Sequence, residues 1–176
     1  MTVKAVFPGT FDPIHYGHID IARRASKLFD EVIIGVYNQP LKSLLFTPEE
    51  RIKMVEFAFQ EDQNIQVTGY SGLTVEFCKS IGAQVVVRGL RVFSDFEHEF
   101  RMALANQRLD PNFELIALIT REEHTFLSST TVREIASLGG DVSSMVPAHV
   151  DEFLKSRFQG QQGENLRMNF MTSLRD

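Results

Sequence analysis

One cysteine in 176 residues excludes an intramolecular disulfide framework and any zinc site built on several thiolates. That residue, Cys78, is flanked by Val75, Phe77 and Ile81 and reads as a small buried apolar side chain, not a reactive thiol. No apolar run approaches the length of a membrane span, and the first ten residues read as a strand entering a turn rather than as a signal peptide. Both point to the reducing cytoplasm and away from a membrane. A basic surplus is missing too. The net charge of -5 argues against a nucleic-acid partner, whose phosphate backbone demands positive charge. A small anionic substrate needs only a few well-placed cations and stays compatible. Neither the Walker A pattern nor G-x-G-x-x-G occurs, which excludes P-loop hydrolysis and dinucleotide binding as readings.

What is present is an ordinary globular composition, 43% hydrophobic and 23% charged, at a length that predicts one compact domain. Short apolar runs alternate with helix-period segments. Val3–Phe7 predicts a buried strand stopped by Pro8-Gly9, and residues 17–29 a helix with Ile21, Ala25, Leu28 and Phe29 on one stripe. Glu31–Tyr37 predicts the second strand. Thr47-Pro48-Glu49-Glu50 marks a helix start, with a capping threonine, proline at the first helical position and glutamate three residues after the cap. Asn64–Gly69 follows as a strand, Leu73–Ile81 as a short helix closed by Gly82, and Gln84–Val87 as a fourth strand ending at Arg88-Gly89. Ser94-Asp95-Phe96-Glu97 predicts a second capping box, opening a helix to about Leu109. Glu114–Ile119 predicts the fifth strand, residues 129–138 a helix, and Pro147–Phe158 the last one. This alternation predicts an α/β architecture, a Rossmann-like doubly wound five-stranded parallel sheet with helices on both faces. It forms a single domain over residues 1–158, and residues 159–176 are a C-terminal extension of unassigned role.

The residues with chemical character fall at the carboxyl ends of the strands, where such sheets bind ligands. Gly9-Thr10-Phe11-Asp12-Pro13-Ile14-His15-Tyr16-Gly17-His18 follows the first strand, and Leu127-Ser128-Ser129-Thr130-Thr131-Val132-Arg133-Glu134 opens a late helix. Each sets small or hydroxyl residues at a helix start, where free N–H groups and the helix dipole favour phosphate. Together they read as two walls of a nucleotide triphosphate site. His18 is the first catalytic candidate, as an imidazole donor to phosphoryl oxygens. His15-x-x-His18 has a weaker reading as a metal pair, since no third ligand follows at a familiar spacing. Asp12-Pro13 reads as a structural turn. Arg88 and Arg91 offer planar forks suited to phosphate; Lys42 alone is an ordinary loop lysine, and Glu97 and Glu99 are ordinary helix-surface acids.

The H-x-G-H motif with the Ser-Ser-Thr-x-x-Arg-Glu helix start resembles the nucleotidyltransferase superfamily. The stretches Phe7–Pro13, Phe46–Arg51, Val87–Arg91, Asp95–Glu99, Met102–Leu109 and Gly140–Pro147 narrow the resemblance to bacterial phosphopantetheine adenylyltransferases, over about residues 3–158. The resemblance implies in-line transfer of AMP from ATP to 4'-phosphopantetheine, giving dephospho-coenzyme A and pyrophosphate. It implies that His18 stabilises the transition state, with Thr10, Lys42 and Arg91 beside it, and that Thr10, Lys42, Thr74, Arg88 and Asn106 bind the acceptor. Gly9, Thr10, Phe11, His18, Gly89, Leu90, Arg91, Glu99, His124, Thr125, Phe126, Leu127, Ser128, Ser129 and Thr130 would surround ATP. Mg2+ would sit on the phosphates without a protein cage; coenzyme A is an implied feedback inhibitor, and a homohexamer the implied assembly. Phe7 stands where many relatives have Tyr, His15 where Thr is common, Thr74 where Met or Leu is usual, and His124 where Trp or Tyr is frequent. Two alternatives stay open: a superfamily transferase using nicotinamide mononucleotide or CTP, and a non-catalytic nucleotide sensor.

Overall fold

A computed structural model describes residues 2–39 and 44–159. Five strands form one parallel sheet: β1 (Lys4–Gly9), β2 (Glu31–Tyr37), β3 (Ile65–Tyr70), β4 (Val85–Leu90) and β5 (Glu114–Ile119), in the order β3-β2-β1-β4-β5. Six α-helices intervene or follow: α1 (Tyr16–Ala25), α2 (Pro48–Ala58), α3 (Thr74–Ser80), α4 (Phe93–Leu109), α5 (Ser129–Ser137) and α6 (Ala148–Phe158). The strand order reverses between β1 and β4, which makes that crevice the switch point of a doubly wound sheet.

Alternation along the strands feeds two cores. Ala5 and Phe7 of β1 join Val32, Ile34 and Val36 of β2 on one face, under α1, α2, α5 and α6. Val6 and Ile33 point the other way, onto Val75 and Cys78 of α3. Cys78 is thus a core residue, and burial pushes its thiol up to about 11.

The second and fifth strands and the capping box at Thr47 form where the sequence places them. Three expectations need correction. β1 does not stop at Pro8-Gly9: both continue the ladder, opposite Gly35 and Val36. β4 pairs β1 only at Ala5 and Val6, so beyond Val6 the strand is locally an edge, where a residue without an N–H is tolerated. The helix expected over 17–29 ends at Ala25, and Leu28 is 64% exposed. The capping box expected at Ser94 and Glu97 does not form. α4 starts two residues earlier, with Val92 as an N-cap that makes no side-chain bond, and Asp95 is held by the backbone N–H and guanidinium of Arg91. No described helix is long and apolar enough to cross a membrane. The expected extension lies outside the described residues beyond Gln159, as does Lys42.

Candidate active site

Where β1 and β4 part beyond Val6 and Val86, a crevice opens with two lobes of about 380 and 410 Å3. Arg88 of β4 spans the gap: its Nη1 donates to the Pro8 carbonyl at 2.6 Å and its Nη2 to Glu99 of α4 at 2.6 Å. Pro8, Gly9, Thr10, Arg88, His98 and Glu99 line both lobes, so the lobes meet at the carboxyl end of β1.

The first lobe is walled by the starts of α1 and α5. Its lining takes in Gly9, Thr10, Phe11 and His18 from one side, Ser128, Ser129 and Thr130 from another, and Gly89, Arg91, Glu99 and His124 across from them. Ser128 caps α5 by accepting from the Thr131 N–H at 3.0 Å, while Ser129 Oγ donates to the Pro13 carbonyl at 2.8 Å. Leu90, Thr125, Phe126 and Leu127, expected around ATP, are not part of this lining. The Leu90 carbonyl accepts from the Thr120 N–H, Thr125 Oγ1 donates to the Arg121 carbonyl, and Phe126 is 59% exposed. Leu127 is buried and presents its carbonyl to Arg91 Nη1 at 2.9 Å. The second lobe gathers the expected acceptor residues Thr10, Thr74, Arg88 and Asn106, with Tyr37 and Tyr70. Thr74 Oγ1 and the Tyr70 hydroxyl are hydrogen-bonded at 2.9 Å.

The two histidines form a reciprocal cap on α1. The His15 N–H donates to His18 Nδ1 at 3.3 Å, the His18 N–H donates to His15 Nδ1 at 3.4 Å, and the rings stack 3.6 Å apart. His15 is spent as an N-cap, which accounts for its place in the motif without a metal. A ring whose Nδ1 accepts must carry its proton on Nε2 when neutral. Burial first, then the Arg91 charge and His124, holds the His15 imidazole at about 3. Burial first, then His15, Arg91 and Arg88, holds His18 well below the usual imidazole range. His18 is therefore a neutral ring with its proton on Nε2; it lines the first lobe and lies against Phe11 with ring centroids 5.0 Å apart.

Because these rings stay neutral when folded, the unfolded chain binds more protons below the ordinary value of 6.5. The stability that His15 contributes is complete above pH 6.5 and is lost as pH falls toward about 3, by about 1.4 kcal/mol per pH unit, and His18 acts in the same direction. His15→Asn keeps a capping oxygen but does not titrate. Thermal unfolding of that variant should lose stability between about pH 6.5 and about pH 5 less steeply than the parent, by about 1.4 kcal/mol per pH unit. An unchanged slope would show that His15 is not a source of the acid lability.

Contacts that the sequence reading missed hold the site from behind. Arg51 of α2 is 1% exposed and donates to the carbonyls of Thr10 at 2.6 Å, Tyr37 at 2.8 Å and Phe46 at 3.3 Å. Asp12 does shape its turn, as expected, and its carboxylate also accepts from the Leu45 and Phe46 N–H groups. His98 lines both lobes, although within the Asp95–Glu99 stretch only its neighbour Glu99 is expected at the site. Asp95, His98, Glu99, Met102 and Asn106 follow helical spacing along α4, and each lines one or both lobes. That period was the signal available.

A bilobed crevice at the switch point of a Rossmann-like sheet, walled by an H-x-G-H helix start and a hydroxyl-capped helix, defines a nucleotidyltransferase-class domain. The cytidylyltransferase-like family model matches residues 6–135. A chain from Herpetosiphon aurantiacus named phosphopantetheine adenylyltransferase is 50% identical over 159 residues, 90% of this chain and 96% of the relative. One of the same name from Roseiflexus sp. (strain RS-1) is 49% identical over 158 residues, 90% of this chain and 98% of the relative. The chain belongs to the phosphopantetheine adenylyltransferase family. In fold it is similar to a bifunctional NMN adenylyltransferase/ADP ribose pyrophosphatase from Francisella tularensis, solved with AMP and a manganese ion. The TM-score is 0.68 at 18% identity, with 96% of this chain matched to about half (52%) of that one.

Proposed function

We propose that the crevice joins ATP, in the first lobe, to 4'-phosphopantetheine, in the second, releasing pyrophosphate and dephospho-coenzyme A in coenzyme A biosynthesis. One observation carries the assignment of lobes. Among the described residues, those that the family resemblance gives to the acceptor line one lobe, most of those it gives to the nucleotide line the other, and Thr10 and Arg88 stand where the two meet.

A phosphate monoester is already largely ionised near neutral pH, so the attacking oxygen needs no general base. An acceptor oxygen bonds to the α-phosphorus as the bond to the pyrophosphate oxygen breaks in line, and negative charge spreads over the α-phosphoryl and leaving oxygens. Positioning and electrostatics are what remain for the protein to supply. Neutral His18 donates through Nε2 as that charge grows, the starts of α1 and α5 add their dipoles, and Arg91 adds a cation. Arg88 and Thr10 receive the acceptor phosphate, with Lys42, which lies outside the described residues; Thr74 and Asn106 line the arm of the acceptor. Glu99 steadies Arg88 at the meeting point.

Magnesium fits as a companion of the triphosphate. No three of the described His, Cys, Asp or Glu residues converge on one point, and the acids of the first lobe, Asp95 and Glu99, are each engaged by an arginine. Carried on phosphate oxygens, the ion would neutralise part of the triphosphate charge. Coenzyme A, which shares most of its atoms with the product, is the proposed feedback inhibitor, and the cytoplasm the proposed compartment. A homohexamer is supported by apolar surface on α4 and β5, where Phe93, Phe96, Phe100, Leu104 and Ile119 are all exposed.

Pyrophosphate release from ATP and magnesium, with and without 4'-phosphopantetheine, tests the reaction. Release only with the acceptor, together with the mass of dephospho-coenzyme A, is expected. No release from a chain that still binds ATP would reject this acceptor. Sedimentation velocity on the same preparation reads the assembly, and a monomer would reject the hexamer.

A further inference from the structure

We infer that Asp12 is a positioning residue for the transfer step: with Arg133 it holds the two phosphate-facing walls of the first lobe at a set spacing. The inference rests on the reaction proposed above.

Asp12 lies two residues after Thr10 and is 1% exposed. Its Oδ1 accepts from the Phe46 N–H at 2.9 Å; its Oδ2 accepts from the Leu45 N–H at 2.9 Å and from Arg133 Nη1 at 3.2 Å. Arg133 Nη1 also donates to the Asp12 backbone carbonyl, and its Nη2 donates to Thr130 Oγ1 at 3.4 Å. One planar guanidinium therefore holds the turn after β1 with one nitrogen and the start of α5 with the other. The bond from Ser129 Oγ to the Pro13 carbonyl runs between the same two walls.

Thr10, Phe11 and His18 face the nucleotide lobe from the first wall, and Ser128, Ser129 and Thr130 from the second. The Asp12 carboxylate itself is sealed in by three donors, which leaves it no role as base or metal ligand. A buried ion pair is a poor route to stability, because desolvating two charges consumes most of their attraction. It is a good route to fixed geometry, and misplacing reacting groups by about 1 Å costs on the order of 10²-fold in rate.

Asp12→Asn keeps the shape but turns one acceptor into a donor, so a buried N–H or the guanidinium loses its partner. Each variant is assayed well below its unfolding temperature, with rates counted per folded molecule. The expected result is a fall in kcat of about 10- to 10²-fold with the ATP dissociation constant within about threefold, since spacing matters most in the transition state. Arg133→Lys should fall between the parent and Arg133→Met, because a point charge still reaches Asp12 but cannot bridge to Thr130. Should Asp12→Asn fold poorly, that ordering carries the test. The double variant Asp12→Asn/Arg133→Met should be no slower than its slower single variant. A kcat within threefold of the parent for Asp12→Asn and Arg133→Met, or losses that multiply in the double variant, would overturn the inference. A parent chain that releases no pyrophosphate would overturn the proposed reaction and this inference together; an active parent matched by its variants overturns the inference alone.

Discussion

Replacing His18 with alanine should lower turnover by about 10²–10³-fold while ATP binding changes little, the usual cost of removing one donor aimed at developing charge. The ring is neutral, so it offers the ground-state triphosphate a hydrogen bond and no net charge. Its donation strengthens only as the leaving oxygen becomes more negative, which is the condition for raising kcat rather than affinity. His18 also caps α1 through Nδ1, so the alanine variant loses stability as well. His18→Gln separates the two roles. Glutamine at the third helical position restores the reciprocal cap but has no imidazole donor. We expect it to recover most of the lost melting temperature and little of the lost rate. Calorimetric ATP binding beside single-turnover kinetics decides the matter: equal losses of binding and turnover would rule out a transition-state role.

Much of this site was legible in the sequence because its parts are local. A helix start that combines glycine with imidazoles, a hydroxyl cap run, and a guanidinium at a strand end are each written in a few consecutive residues. The parallel sheet made them converge. What escaped is non-local or masked by a competing pattern. Ser94 and Glu97 carry the pattern of a capping box, but the helix opens at Val92, and Asp95 between them is held by its neighbour Arg91. Beside Glu99 and Asn106, which the resemblance supplies, His98 and Met102 on the cavity-facing stripe of α4 were masked by the exposed Phe93, Phe96 and Phe100, which dominate the periodicity. Pro8 in a strand interior reads as a stop, and only the parting of β1 from β4 makes it admissible. Asp12, Arg51 and Arg133 are separated by tens of residues, so no window of sequence pairs them.

Arg51→Ala should be the most damaging of these changes to stability. The buried guanidinium satisfies three carbonyls, and burial depresses its pKa despite the opposing pull of Asp12 and Glu49. Truncation leaves those carbonyls unpaired, at about 1–3 kcal/mol each if nothing replaces the donor. Two effects moderate the sum. Water can enter the space left by so long a side chain and rehydrate part of it. Asp12 also keeps Arg133, so no carboxylate is left bare. We therefore expect a loss of about 3–4 kcal/mol, lowering the melting temperature by about 6–16 °C for a chain of this size. Arg51→Met divides the loss into its causes, since it fills most of the volume and donates nothing. If hydrogen bonding dominates, methionine recovers less than half of the stability that alanine loses. If it recovers nearly all, the three carbonyls were never the reason for a buried arginine, and packing between α2 and the carboxyl ends of β1 and β2 was. Differential scanning calorimetry of the three chains distinguishes these outcomes, and a shift under about 3 °C for Arg51→Ala would contradict both.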